Sequence, residues 1–265
     1  MKKILFATDF SAPANNAFAY ALELAKAINA SLSILHVFNE YFITRAEFDR
    51  DEYGDTRPRE LEVQVKELGA SIPPELQGDL KVVFGTFADA EIADEARDNA
   101  YDLIIMGMKG EHHQLEKWMG SVTTSLMMKA PCPVLAIPEK ANYQGIKKIA
   151  MATALPSSAD IPKQQVMAFA EAVSAKLEFV TVDNIVRQSK DFVPDQPKKV
   201  FFGTEFHVIT NPSIPEGLNN FVLKNEADVL SLYMRKRHLW ERIFHISTSR
   251  EMAYHTKIPL FVFHN

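Results

Sequence analysis

YDLIIMGMKGEHHQLEKWMGSVTTSLMMKAPCPVLAI, residues 101–137, is the stretch on which the fold class turns. Its first six residues are a short apolar run with two isoleucines, the pattern of a buried parallel strand. Gly107, Gly110 and Gly120 follow in the spacing G-x2-G-x9-G, with Ser121 directly after. Glycines let backbone approach an anion closely and tolerate positive φ, and the open N–H groups at a helix start carry partial positive charge. Ser121–Lys129 reads as a helix, Pro131 and Pro133 stop it, and Val134–Ile137 supplies a second buried strand. Strand, glycine loop, helix and strand make an α/β nucleotide site at the carboxyl edge of a sheet. A plain turn is the alternative reading of the same glycines.

Upstream, KKILFATDFS (residues 2–11) reads as a first strand ending at Thr8 and Asp9, and LSILHVF (residues 32–38) as a second. Ser11 fits an N-cap and Pro13 a first helical turn, with Phe18, Leu22, Ala25 and Ile28 near helical spacing behind them. A further helix is expected within Arg59–Leu68. Another is expected after Thr86, which forms a capping-box-like pair with Asp89 and precedes an apolar face of Ile92, Ala93 and Ala96. Short apolar strands alternating with amphipathic helices predict a mostly parallel sheet.

The chain repeats itself. Lys2, Lys3, Ile4, Ala7 and Thr8 recur 145 positions later as Lys147, Lys148, Ile149, Ala152 and Thr153, and Ala30, Leu32 and Val37 recur as Ala175, Leu177 and Val182. Downstream the offset falls to 126, matching Asp102 with Asp228, Ser121 with Ser247 and Pro133 with Pro259, so the second copy lacks 19 residues between its second and third strands. Two tandem α/β domains are expected, residues 1–140 and 146–265, joined by a linker too short to act as a tether and packed as an intrachain pseudo-dimer. In register, Asp9 becomes Ala154, Gly107 becomes Tyr233, Gly110 becomes Lys236 and Gly120 becomes Ile246, so the second copy has bulk where a phosphate needs bare backbone.

GMKGEHHQLEKWMGS, with KKILFATDFS and LSILHVF, resembles the nucleotide-binding branch of the universal stress protein family, whose hallmark is G-x2-G-x9-G-[S/T]. The resemblance implies two Rossmann-like (adenine nucleotide alpha hydrolase-like) domains, each a mostly parallel five-stranded sheet flanked by helices. It implies ATP, or AMP or ADP, with or without magnesium, held by the first domain alone. Thr8 and Asp9 would face the ribose and Val37 the adenine, Gly110, Gly120, Ser121 and Val122 the phosphates, and Met106 and Gly107 the path beneath them, with Lys109 adding charge. Each has a plainer reading: Asp9 as a cap, Val37 as strand core, Lys109 as a solvated loop lysine. The pairing of Pro133–Ile137 with Pro259–Phe263 across the pseudo-dimer, and association of two chains, are further expectations of the resemblance.

A net charge of −5 over 265 residues gives no basic field for nucleic acid, and no run of about 18 apolar residues predicts a membrane span. The basic start, MKKILFATDF, is interrupted by Thr8 and Asp9 too early for a secretory leader and reads as a strand. A single cysteine, Cys132, allows no intrachain disulfide and reads as packing filler; with the preceding points it favours a cytoplasmic protein. His112 and His113 lack the spacing of metal ligands, so no metal site is expected, and Arg235, Lys236, Arg237, His238 and Arg242 read as solvated surface with anion binding as the alternative. Aromatic residues among charges in Asn39–Asp55 suggest interdomain packing, a lid or a partner surface. With no G-x-S-x-G and no G-x4-GK[ST], catalytic residues are not assigned. The expected function is a nucleotide-binding regulatory protein of the stress response with an unknown protein partner; the alternatives are a nucleotide-independent scaffold and a slow ATPase.

Overall fold

The computed structural model describes residues 1–38, 56–108, 119–153, 163–183, 199–201, 203–234 and 258–264. The chain divides into two compact units, Met1–Tyr143 and Gln144–Asn265. No helix among the described residues is long and apolar enough to cross a membrane.

In the first unit β1 (Lys3–Thr8), α1 (Ala12–Ile28), β2 (Ser31–Phe38), α2 (Thr56–Gly69), β3 (Gln77–Phe84), α3 (Ala88–Asp98), β4 (Leu103–Gly107), α4 (Ser121–Lys129) and β5 (Val134–Ile137) follow in chain order. The sheet order is β3-β2-β1-β4-β5, with every pair parallel. The chain winds outward from β1 to β3 and then returns to the other side of β1. A crevice therefore opens between β1 and β4 at their carboxyl ends, the place where such sheets bind ligands.

Burial follows the sequence pattern. Ile4 to Ala7 of β1 and Leu103 to Gly107 of β4 are buried throughout, as strands covered on both faces must be. Helix α1 buries Ala14, Ala17, Phe18, Ala21, Leu24 and Ala25, and its many alanines let it lie close to the sheet. Ser11 caps it as expected, its Oγ accepting the Ala14 N–H at 3.3 Å, with Pro13 in the first turn and Asn29 left-handed at the far end. The N-cap of α3 is Phe87, one residue beyond Thr86, and it makes no side-chain hydrogen bond. Asp89 accepts the Ser125 hydroxyl at 2.5 Å, tying α3 to α4.

The second unit comprises β6 (Lys148–Ala152), α5 (Lys163–Ala172), β7 (Lys176–Asp183), β8 (Lys199–Phe201), β9 (Thr204–Thr210), α6 (Ile214–Lys224), β10 (Val229–Met234) and β11 (Leu260–His264). Its strand order is β11-β10-β6-β7-β9-β8. Five of these strands are parallel, as expected; β8 adds a sixth, antiparallel to β9, joined to it through Gly203 at φ 78°. Three residues of β8 are too few for a periodic signal in the sequence.

Strand register repeats with the sequence offsets. Ile4 opposite Leu32 recurs as Ile149 opposite Leu177, and Ile34 opposite Leu80 as Phe179 opposite Phe206. Gly107 opposite Ile137 recurs as Tyr233 opposite Phe263. Local devices repeat too. Asp102 Oδ2 accepts the N–H groups of Lys2 and Lys3 at 2.7 and 3.0 Å, and Asp228 Oδ2 accepts those of Lys147 and Lys148 at 2.7 and 2.8 Å. Left-handed residues fall at Asn29 and Ala100 in one unit and at their counterparts Ser174 and Glu226 in the other.

Candidate functional site

Eight of the ten residues singled out in the sequence lie among the described residues, at the carboxyl edge of the first sheet. Lys109 and Gly110 lie outside them, as do Asn39–Asp55, His112, His113 and the basic residues 235–242.

Strand β1 ends at Thr8, whose Oγ1 accepts the Phe10 N–H at 3.0 Å as the chain turns through Phe10 at φ 60°. Asp9 is exposed at this turn. Its Oδ1 accepts both the N–H and the hydroxyl of Ser11, at 3.1 and 2.6 Å, so the carboxylate braces the cap of α1 while standing at the mouth of the crevice.

The last pair between β1 and β2 is Thr8 opposite His36, so Val37 and Phe38 carry β2 two residues beyond the end of β1. Val37 is half-buried there. His36, which the sequence reading passed over, sits directly beneath. Its Nδ1 lies 2.9 Å from the Thr8 carbonyl, which can only accept, so that nitrogen carries a proton. Burial pushes the His36 pKa down, opposed by the Thr8 hydrogen bond and by the charge of Asp9, and the Phe10 ring lies against the imidazole at 4.7 Å. Alternation placed His36 in a strand, but nothing in its spacing tied it to Thr8.

On the other side of the crevice, Met106 is the last β4 residue paired with β1, opposite Ala7. Met106 and Gly107 are buried at the strand end, and the Gly107 carbonyl accepts the Thr123 hydroxyl at 3.0 Å. Gly120 is pinned by its N–H to the Met108 carbonyl at 2.9 Å and serves as N-cap of α4. Its φ of −66° and ψ of 153° are extended geometry open to any residue, and Gly107 is regular strand, so neither glycine is needed for positive φ. What Gly120 contributes is the lack of a side chain. Among the described residues no side chain caps the start of α4, and the first helical bond is Thr124 N–H to the Gly120 carbonyl at 2.9 Å. The N–H groups of Ser121, Val122 and Thr123 precede that bond and have no acceptor within the helix. Ser121 is exposed and Val122 half-buried at this end.

In the second unit Tyr233 takes the register position of Gly107 and is buried. Ala154, Lys236, Ile246 and Ser247, the counterparts of Asp9, Gly110, Gly120 and Ser121, lie outside the described residues. Cys132, the lone thiol, is buried, and desolvation pushes its pKa up to about 12, which leaves it protonated and unreactive.

The model of the universal stress protein family matches residues 1–138. Universal stress protein MJ0577 of Methanocaldococcus jannaschii is 28% identical over 157 residues, covering 52% of this chain and 96% of that protein. Universal stress protein YxiE of Bacillus subtilis is 29% identical over 144 residues, covering 51% of this chain and 97% of its own length. A universal stress protein from Archaeoglobus fulgidus has the same fold across both units, with a TM-score of 0.66 over 99% of this chain and 96% of that one at 17% identity.

Proposed function

The chain belongs to the universal stress protein family, and from that premise we propose that it is an adenine-nucleotide-binding regulatory protein of the stress response, holding ATP, AMP or ADP in its first unit. The observation that carries this reading is the bare start of α4: three main-chain N–H groups, led by a glycine without a side chain, at the switch point of a parallel sheet. Three amides and the positive end of the helix dipole suit phosphate oxygens, with the exposed Ser121 hydroxyl beside them. Across the crevice, the Asp9 carboxylate suits ribose hydroxyls, with Thr8 fixing its turn, and Val37 projects beyond β1 where an adenine ring would lie. Lys109 and Gly110 complete the set by sequence.

The proposed role is binding and signalling. Cys132 is buried and protonated, so it is not poised as a nucleophile. Nucleotide is held by the first unit alone, because Tyr233 puts a phenol where Gly107 leaves backbone bare.

Isothermal titration of ATP into the full chain and into its Gly120→Val variant tests the reading. Valine is sterically allowed at the Gly120 φ and ψ, so lost affinity reports side-chain bulk at the amides. We expect at least tenfold weaker binding in the variant; affinity equal to the unaltered chain refutes the site.

A further inference from the structure

On one face of the β7–β9 pair in the second unit, four polar side chains converge. Glu178 stands on β7 and, continuing the register of Phe179 opposite Phe206, lies across from Glu205 on β9; Lys176 and His207 are two residues along their strands on the same face. The Glu178 side chain is 4% exposed, that of His207 21% and that of Glu205 30%. Glu178 Oε1 is paired with Lys176 Nζ at 2.8 Å, and the same ammonium lies 3.3 Å from Glu205 Oε2.

Two of the cluster's polar atoms are unsatisfied. Glu178 Oε2 and His207 Nε2 are both buried without a hydrogen-bond partner. They lie 3.8 Å apart, and His207 Nε2 lies 3.6 Å from Glu205 Oε2, beyond hydrogen-bond reach in each case. Leaving a buried carboxylate oxygen and a ring nitrogen unpaired is costly unless a further group joins them. One oxygen from each glutamate and a nitrogen of His207 fall within 4.8 Å of one another. Around a tetrahedral ion with bonds of about 2.0–2.1 Å, ligand atoms sit about 3.3 Å apart. The two nitrogen–oxygen separations, 3.8 and 3.6 Å, lie within about half an ångström of that spacing. Phe221, its ring 5.0 Å from the imidazole, holds His207 from the α6 side.

The first unit shows what the same positions look like with a built-in cation. Ser33, Asp79, Lys81 and Glu95 are the counterparts of Glu178, Glu205, His207 and Phe221 by the offsets of 145 and 126. There Lys81 Nζ lies 2.7 Å from Glu95 Oε1 and 3.6 Å from Asp79 Oδ2, so an ammonium neutralises the carboxylates from within. In the second unit an imidazole replaces that ammonium and a buried carboxylate replaces Ser33, while Lys176, the lysine paired with these carboxylates, has a side chain 53% exposed and able to swing away.

We propose that Glu178, Glu205 and His207 form a site for a divalent transition cation of the zinc type, with Lys176 as the ammonium that the metal displaces. Imidazole and carboxylate ligands suit such an ion, and three protein ligands leave a fourth position for water.

Zinc competition against a chromogenic chelator, using the full chain and variants checked for fold by circular dichroism, tests this. His207→Gln should bind one zinc equivalent fewer than the unaltered chain. Lys176→Ala, a change at an exposed side chain, should bind that equivalent at least threefold more tightly, and cobalt bound at the site should give the intense visible absorption of tetrahedral coordination. A folded His207→Gln chain with full zinc stoichiometry and affinity overturns the proposal. Should that variant fail to fold, unchanged or weakened zinc affinity in Lys176→Ala overturns it.

Discussion

At His36 burial works against charge. The folded protein favours the neutral ring, so its pKa lies below the ordinary histidine value of about 6.5. The unfolded chain therefore binds the proton more readily. The stability that His36 contributes is complete above about pH 6.5 and is lost as pH falls through the folded-state pKa, with a slope of at most about 1.4 kcal/mol per pH unit for one proton. His36→Gln retains a donor for the Thr8 carbonyl without titrating. Thermal melts between pH 5 and 8 should show a shallower acid loss in that variant than in the unaltered chain; parallel curves would assign the acid sensitivity to other groups. Gly120 carries a second lesson at this scale. The glycine spacing was legible in the sequence, but its reason was not, because only backbone angles show that Gly120 sits at the start of α4 without a conformational need for glycine.

Among the elements, those with strong periodicity and ordinary punctuation could be read directly. Ser121–Lys129 and Val134–Ile137 occupy the expected residues, and Ser11 with Pro13 opens α1. Where a polar residue had two uses, the sequence could not choose. Asp89 reads as half of a capping box, and packing of α3 on α4 also brings Ser125 within reach of its carboxylate. The Asp102 clamp is another device that pattern alone could not show, since its partners are about a hundred residues away. It fixes the start of β1 to that of β4. Asp102→Ala should lower stability by about 1 kcal/mol, the low end for losing acceptors because the site is exposed to water, as urea unfolding would measure.

For the whole chain, the internal repeat was the most legible feature, because register and left-handed residues follow the same two offsets as the sequence. The cluster at Glu178 and His207 stayed hidden for the opposite reason: the ligands come from two strands with 26 residues between the nearest of them, and no short motif joins them. The proposed asymmetry between units has a stoichiometric consequence. Native mass spectrometry of the full chain with excess ATP should count one nucleotide per polypeptide; two would mean that Tyr233 does not close the second crevice.

Strand β8 also changes what the border of the second sheet offers to other molecules. By folding back at Gly203 it occupies the outer flank of β9 from Thr204 to Phe206 with groups of the same chain. A stray peptide seeking a template for intermolecular stacking finds that stretch already taken. The edge that β8 presents in turn is only three residues long, too short a template for extended pairing.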